Sequence, residues 1–379
     1  MKRILAQFMA ILFLLPGCGE PVSVPDTEVK EPDMVEVIMS EMSLSDKVYQ
    51  LMFVTPEAIT GVGTVTQAGE ATKAALSDKP VGGIIYFQGN LKNAAQTKEM
   101  IENTQSYAKI PLFIGVDEEG GIVSRLGSNP SMGVTHHPPM KEIGKTENPE
   151  KAYDVGKTLG SELLSLGFNV DFAPVADVLV NSGNSVIGNR SFGTEPEAVA
   201  KMVSETVRGM QENGVSATLK HFPGHGSTYN DSHTGYTASQ RTLEELRGAE
   251  FIPFKAGIAS GADFIMVAHI TMVNATSDKL PATLSKEVTE GMLKGELGYK
   301  GIVITDAMNM GAIANEYTTE EATVKAIQAG CDMILMPKDL TVAHNALIAA
   351  VASGEITEER IDESVRKILT LKTEKGMIK

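Results

Sequence analysis

From Thr218 to Tyr236 the chain reads T-L-K-H-F-P-G-H-G-S-T-Y-N-D-S-H-T-G-Y. An apolar, β-branched run at 215–219 ends in Lys220 and His221, and a loop rich in Gly, Pro, Ser and Asn then carries His225, Asp231 and His233. Two residues apart on an extended backbone, Asp231 and His233 share a side, close enough for the carboxylate to orient the imidazole. An imidazole held in this way is a tuned proton donor. His221 and His225 stand four apart, the spacing of a helical zinc pair, but Pro223 and Gly224 between them break the helix such a pair needs. A structural loop with incidental histidines is the plainer alternative, and the loop alone does not say which chemistry it serves.

Other polar residues stand just after apolar runs. The run I-P-L-F-I-G-V leads into Asp117, Glu118, Glu119, Gly120 and Gly121, with Arg125 beyond them. The next run ends near Asp171 and Asp177, and a loop holding Asn189, Arg190, Ser191 and Phe192 comes after. His269 closes a sixth run, and G-I-V-I-T ends at Asp306. Each has a structural alternative: Asp117 as a helix cap, Arg125 and Arg190 as surface or structural ion pairs, His269 as packing at the mouth of the fold. Cys331 reads as a small buried hydrophobe and the 19 methionines as core filler.

The elements that must position these side chains alternate. Eight apolar runs suit buried parallel strands, at 49–54, 83–87, 112–116, 169–173, 216–219, 264–268, 301–305 and 333–336. Amphipathic stretches at 91–108, 151–166, 197–213, 243–259, 286–297 and 320–329 lie between them, and 342–352 and 358–372 close the chain. Residues 56–80, with Gly61, Gly63 and Gly69, read as an insertion at the rim. Eight alternations predict a (β/α)8 TIM-like barrel over 34–379, a fold in which function gathers at the C-terminal ends of the strands. Asp306 and His233 then offer a carboxylate nucleophile or base and an imidazole acid, the two functions retaining glycoside hydrolysis needs, with Asp117, Arg125, Arg190, Lys220 and His221 as hydrogen-bonding groups for a polyhydroxylated ligand.

The formal charge is −15 and the isoelectric point near 5.0, which argues against nucleic acid or an anionic membrane surface as the main partner. There is no Trp and only 5% aromatic residues, a poor platform for stacking single strands. Lys2 and Arg3 precede an apolar run at 4–15 and then Pro16, Gly17 and Cys18, which resembles a bacterial lipoprotein signal peptide over 1–17 with Cys18 lipidated. Residues 18–33, with Pro21, Pro25 and Pro32 among acidic residues, read as a stiffened tether to an extracytoplasmic membrane surface. With Cys18 lipidated, Cys331 has no partner for an intramolecular disulfide.

K-H-F-P-G-H-G followed by D-S-H, with D-E-E-G-G-I-V-S-R upstream, N-R-S-F-G between and I-V-I-T-D-A-M downstream, resembles glycoside hydrolase family 3, in its β-N-acetylhexosaminidase branch. The resemblance implies that Asp306 is the nucleophile of a covalent glycosyl-enzyme, His233 the general acid/base and Asp231 its partner on a mobile loop. It implies that Asp117, Arg125, Arg190, Lys220 and His221 contact the sugar. The implied reaction removes terminal non-reducing β-linked N-acetylglucosamine from amino-sugar glycans or muropeptides, with no cofactor and no metal, as a monomer. Ala307 stands where many members have a second acidic residue after the nucleophile. Many members also carry a C-terminal αβα domain, for which this chain leaves no room. In the β-glucosidase branch that domain supplies a carboxyl acid/base, so its absence and D-S-H favour the hexosaminidase branch. A β-glucosidase, β-xylosidase or phosphorylase of the same family is the nearest alternative. A metal-dependent barrel hydrolase using His221, His225, His233 and Asp306, or a non-catalytic sugar-binding lipoprotein, is the alternative of another class.

Overall fold

The computed structural model describes residues 33–378. The expected leader at 1–17, the lipidation site Cys18 and the tether up to residue 32 lie outside them.

Every apolar run supplies a strand: β1 Met52–Val54, β2 Gly83–Ile85, β3 Phe113–Val116, β4 Val170–Asp171, β5 Ser216–Phe222, β6 Phe264–Val267, β7 Ile302–Thr305 and β8 Ile334–Leu335. Each pairs in parallel with the next from β1 through β7, and β1 also pairs with β8. A parallel bridge between Ile304 and Met333 joins β7 to β8 and closes the cylinder. The (β/α)8 barrel expected from the alternation is therefore the fold.

Four local expectations are corrected. Tyr49 and Gln50 belong to the helix Leu44–Gln50, because a capping box between Ser43 and Asp46 starts a helix that runs through them. Lys220 and His221 lie within β5 rather than beyond it. Ala176 N–H donates to Lys220 O and Ala268 N–H to Phe222 O, so neighbours on both sides satisfy backbone past Leu219. The stretch 56–80 holds two helices, Pro56–Thr60 and Glu70–Asp78, the second burying Thr72 and Leu76 one turn apart, and so forms the crossover between β1 and β2. The single helix expected over 243–259 is two, Leu243–Gly248 and Phe251–Ala259. Pro253 has no N–H to donate and its ring would clash with the carbonyl four residues earlier, so a helix containing it must start shortly before it.

Large rings fill the barrel where small residues make room. A Cβ at Gly83 would lie 2.7 Å from the Phe53 ring, and one at Gly115 would lie 2.8 Å from Phe53 and 2.9 Å from Phe172. Phe53 and Phe172 meet edge to face, centroids 5.3 Å apart. Against the start of β3, the ammonium of Lys372 lies 4.9 Å from the Phe113 ring centroid and donates to Gln50 Oε1 at 2.9 Å.

Lys372 is fully buried, and desolvation pushes its pKa down to about 7. The unfolded chain, with a lysine near ~10.4, holds this proton where the folded chain has lost it. Unfolding therefore takes up a proton between about pH 7 and 10, and stability rises with pH across that window, with a ceiling of roughly 5 kcal/mol from this group. Lys372→Met is expected to raise the unfolding temperature at pH 7, and its advantage should shrink as the buffer is taken toward pH 10. An advantage that stays constant over that range would mean that the amine is not the cause.

Candidate active site

A cavity of about 340 Å³ opens at the C-terminal ends of the strands, and Asp117, Arg125, Arg190, Lys220, His221, His233 and Asp306 all line it. Its size lies within the usual range for a small-molecule site. Seven of the eight pocket residues read from the sequence thus converge. The eighth, Asp231, stands behind His233.

Asp117 is the residue after β3, and the chain then folds into a two-stranded ribbon, Glu118–Gly120 against Val123–Ser124. Gly120 and Gly121 make its turn at φ +87° and +59°, angles that suit glycine. The ribbon returns Arg125 to the cavity, its guanidinium 5.7 Å from the centroid of the Phe87 ring and 3.9 Å from Asp117 Oδ2. Asp117 caps no helix; its Oδ1 accepts from Lys220 Nζ at 2.8 Å.

Glu119 is the hub of the floor. Arg190 donates to it through Nε and Nη2, both at 2.8 Å, and Lys220 Nζ lies 2.7 Å from its Oε1. Burial alone would raise the Glu119 carboxyl, but Arg190 and Lys220 hold it far below the usual carboxylate range. Burial opposes the charge on Lys220 as well, and Asp117 and Glu119 more than offset it. The same Arg190 guanidinium that pairs with Glu119 also lines the cavity. Arg190 Nη2 also approaches His221 Nε2 at 3.3 Å.

His221 is held from behind by Asp177, whose Oδ2 lies 2.7 Å from Nδ1. Burial pushes Asp177 up, but His221 and His225 pull it below the usual range, and the His225 N–H donates to its Oδ1 at 2.6 Å. Asp171 lies deeper, where burial raises its carboxyl well above the ordinary value. It does not line the cavity.

Asp306 follows β7 and accepts from the Ala307 N–H at 2.8 Å. Burial pushes its carboxyl up, while His269, His221, the Ala307 N–H and His233 pull it down, and the balance lies below the usual carboxylate range. The group is ionised at neutral pH. His269 packs at the mouth, as its structural alternative had it, yet it borders the site: Nε2 lies 3.0 Å from Ala307 O and Nδ1 2.6 Å from Thr283 Oγ1.

His233 and Asp231 meet, but not along an extended strand. Asp231 Oδ1 accepts from the His233 N–H at 2.9 Å and lies 2.7 Å from Nδ1, while the Thr234 N–H donates to Asp231 O at 3.1 Å. The aspartate closes a tight turn on its own backbone, and that turn aims the imidazole. His233 remains exposed on top of the cavity.

His225 takes no part in a metal constellation with His221, His233 and Asp306. Its two ring nitrogens meet Thr228 Oγ1 at 2.8 Å and Ser232 Oγ at 3.2 Å, which pins the loop from inside. Among the described residues, no group of three or more His, Cys, Asp or Glu side chains is placed to hold an ion. The sequence reading missed Glu119 and Asp177 as site residues, and Phe87 and Met336 as apolar walls. Glu119 carried a signal, being the third of three consecutive acids at a strand end. Phe87 and Met336 carried none.

The pattern described as "Glycosyl hydrolase family 3 N terminal domain" matches residues 43–371. "Beta-hexosaminidase A" of Pseudoalteromonas piscicida is 34% identical over 325 residues, covering 79% of this chain and 54% of that protein. "Beta-hexosaminidase" of Nitrosomonas eutropha is 32% identical over 332 residues, covering 84% of this chain and 93% of that protein. A solved glycoside hydrolase family 3 β-N-acetylglucosaminidase from Paenibacillus superposes with a TM-score of 0.83 at 42% identity, over 88% of this chain and 63% of that one. The chain thus spans about half the length of the first of these relatives and nearly all of the second. With a match of this extent over a barrel of this form, the chain belongs to glycosyl hydrolase family 3.

Proposed function

We propose that this chain is a retaining β-N-acetylhexosaminidase that releases terminal non-reducing N-acetylglucosamine. One observation carries the reading: an ionised Asp306 and an Asp231-held His233 line one cavity, over a floor of paired donors and acceptors. Asp306 attacks the anomeric carbon while His233 protonates the leaving oxygen, giving a covalent glycosyl-enzyme. His233 then takes a proton from water, which attacks the same carbon from the vacated side, so the configuration is retained. Asp117, Arg125, Arg190, Lys220 and His221 hold the sugar hydroxyls. The D-S-H motif and the names of the relatives support the amino-sugar preference.

The natural substrates on this reading are cell-wall glycan fragments. Cys18 is the lipidated first residue of the mature chain, the acidic tether leads to the barrel, and the enzyme acts outside the cytoplasm as a monomer. Lipidation is tested by the mass of the N-terminal peptide from a membrane extract. A peptide starting at an unmodified Cys18, or an uncut leader, removes the anchor.

A panel of aryl β-glycosides tests the chemistry. Turnover of the N-acetylglucosaminide is expected to exceed that of the glucoside and xyloside by at least about tenfold, the scale of a few added contacts. Chelators are expected to leave it intact. A preference for the glucoside moves the chain to another branch, and loss of activity on chelation favours a metal-dependent hydrolase.

A further inference from the structure

Asp306 and His233 sit on separate stretches of chain, and one short backbone junction joins the two. The Gly311 N–H donates to His233 O at 3.1 Å and the Ala312 N–H to Ser232 O at 3.1 Å. A Cβ at Gly311 would lie 2.8 Å from the carbonyl carbon and oxygen of Thr234 and 2.9 Å from His233 O. Those are backbone atoms, which cannot swing aside as the tip of a flexible side chain can. On its other side Gly311 is tied closely to Asp306. The Met310 N–H donates to Ala307 O at 3.0 Å, the Met308 N–H to Leu335 O in β8 at 2.9 Å, and the Asp306 N–H to Val267 O in β6 at 2.9 Å. The side-chain bond of His233 goes to Asp231 on its own turn, so it is the backbone contacts at 311 and 312 that tie the imidazole to the strand bearing the carboxylate.

We propose that Gly311 is a positioning residue: its bare backbone is the seat on which the loop carrying His233 closes, and it sets the distance between the proton donor and Asp306. The proposal rests on the reading of Asp306 and His233 as nucleophile and acid/base. A methyl group at 311 must push the loop outward by roughly half an ångström to regain normal carbon–oxygen separation. The Asp306 carboxylate, fixed by the barrel, does not follow. Errors of about this size in the placement of a reacting group cost on the order of 10 to 100-fold in rate.

Gly311→Ala is therefore compared with the parent in two measurements. The first is kcat/KM on two N-acetylglucosaminides, one with a poor alkyl leaving group and one with an activated aryl group. The poor substrate is expected to lose about 10 to 100-fold and the activated one less than about threefold, because only the former needs a well-placed proton. The second is amide hydrogen exchange, which is expected to quicken at residues 311 and 312 and through the turn 231–234. Equal losses on both substrates, or unchanged exchange in that turn, overturn the seat. A parent inactive on every glycoside sinks the functional reading, yet exchange still decides the seat. If the variant does not fold, exchange in the parent decides: the amides of 311, 312 and 234 are expected to open at one common rate, and unrelated rates refute the proposal.

Discussion

Asp306→Ala is expected to lower turnover of an aryl N-acetylglucosaminide by about 10⁴-fold or more, the scale on which loss of a nucleophile is felt. No neighbour stands ready to replace it. Asp117 is committed to Lys220, Glu119 to Arg190 and Lys220, and Asp177 to His221, each at hydrogen-bond distance. Affinity for N-acetylglucosamine should change by only a few-fold, because the floor that holds the hydroxyls is untouched. The space vacated by the carboxylate also admits a small anion. Azide is expected to restore turnover of an activated substrate and to yield the glycosyl azide of inverted configuration, since one displacement replaces two. In the parent enzyme a 2-deoxy-2-fluoro sugar or a related mechanism-based inhibitor should label the peptide containing residue 306. A label on another carboxylate, or an alanine variant that keeps more than a percent of parental turnover, would remove Asp306 from the role.

That this carboxylate could be singled out from the sequence follows from the physics of the barrel. Buried parallel strands must be apolar on both faces, so I-V-I-T reads as a strand, and the first charged residue after it must lie at the rim where ligands bind. Asp117 after F-I-G-V was legible for the same reason. What the sequence could not display was pairing. Arg190 and Glu119 are 71 residues apart, and which carboxylate faces which cation depends on the curvature of the closed sheet, a property of all eight strands together. Local backbone form was also obscured where a side chain bonds to its own chain. Asp231 and His233 do meet, but in a turn that Asp231 closes, and no alternation of apolar and polar residues encodes that bond. The crossover helix Glu70–Asp78 was hidden because it buries so little that its periodicity is faint.

The imidazole makes the sharper test, because proton donation matters only when the leaving group needs it. His233→Ala is expected to lower kcat/KM for a poor alkyl leaving group by about 10² to 10⁴-fold, the usual worth of a general acid, and for an activated aryl group by less than about tenfold. The constant kcat/KM isolates the first bond cleavage. Turnover at saturation also includes attack by water, for which the same imidazole is the base, so kcat should fall for both substrates, and with the activated one the glycosyl-enzyme should accumulate. Azide, which needs no base, should then raise kcat for the activated substrate while leaving its kcat/KM alone. Asp231→Ala is expected to show the same pattern more weakly, since it loosens the turn and leaves the donor in place. Equal losses in kcat/KM on both substrates would mean that His233 binds the sugar rather than protonating it. In that case the acid must be sought among the other groups of the cavity, where Asp117, the carboxylate bonded to Lys220 and 3.9 Å from Arg125, would be the first to replace.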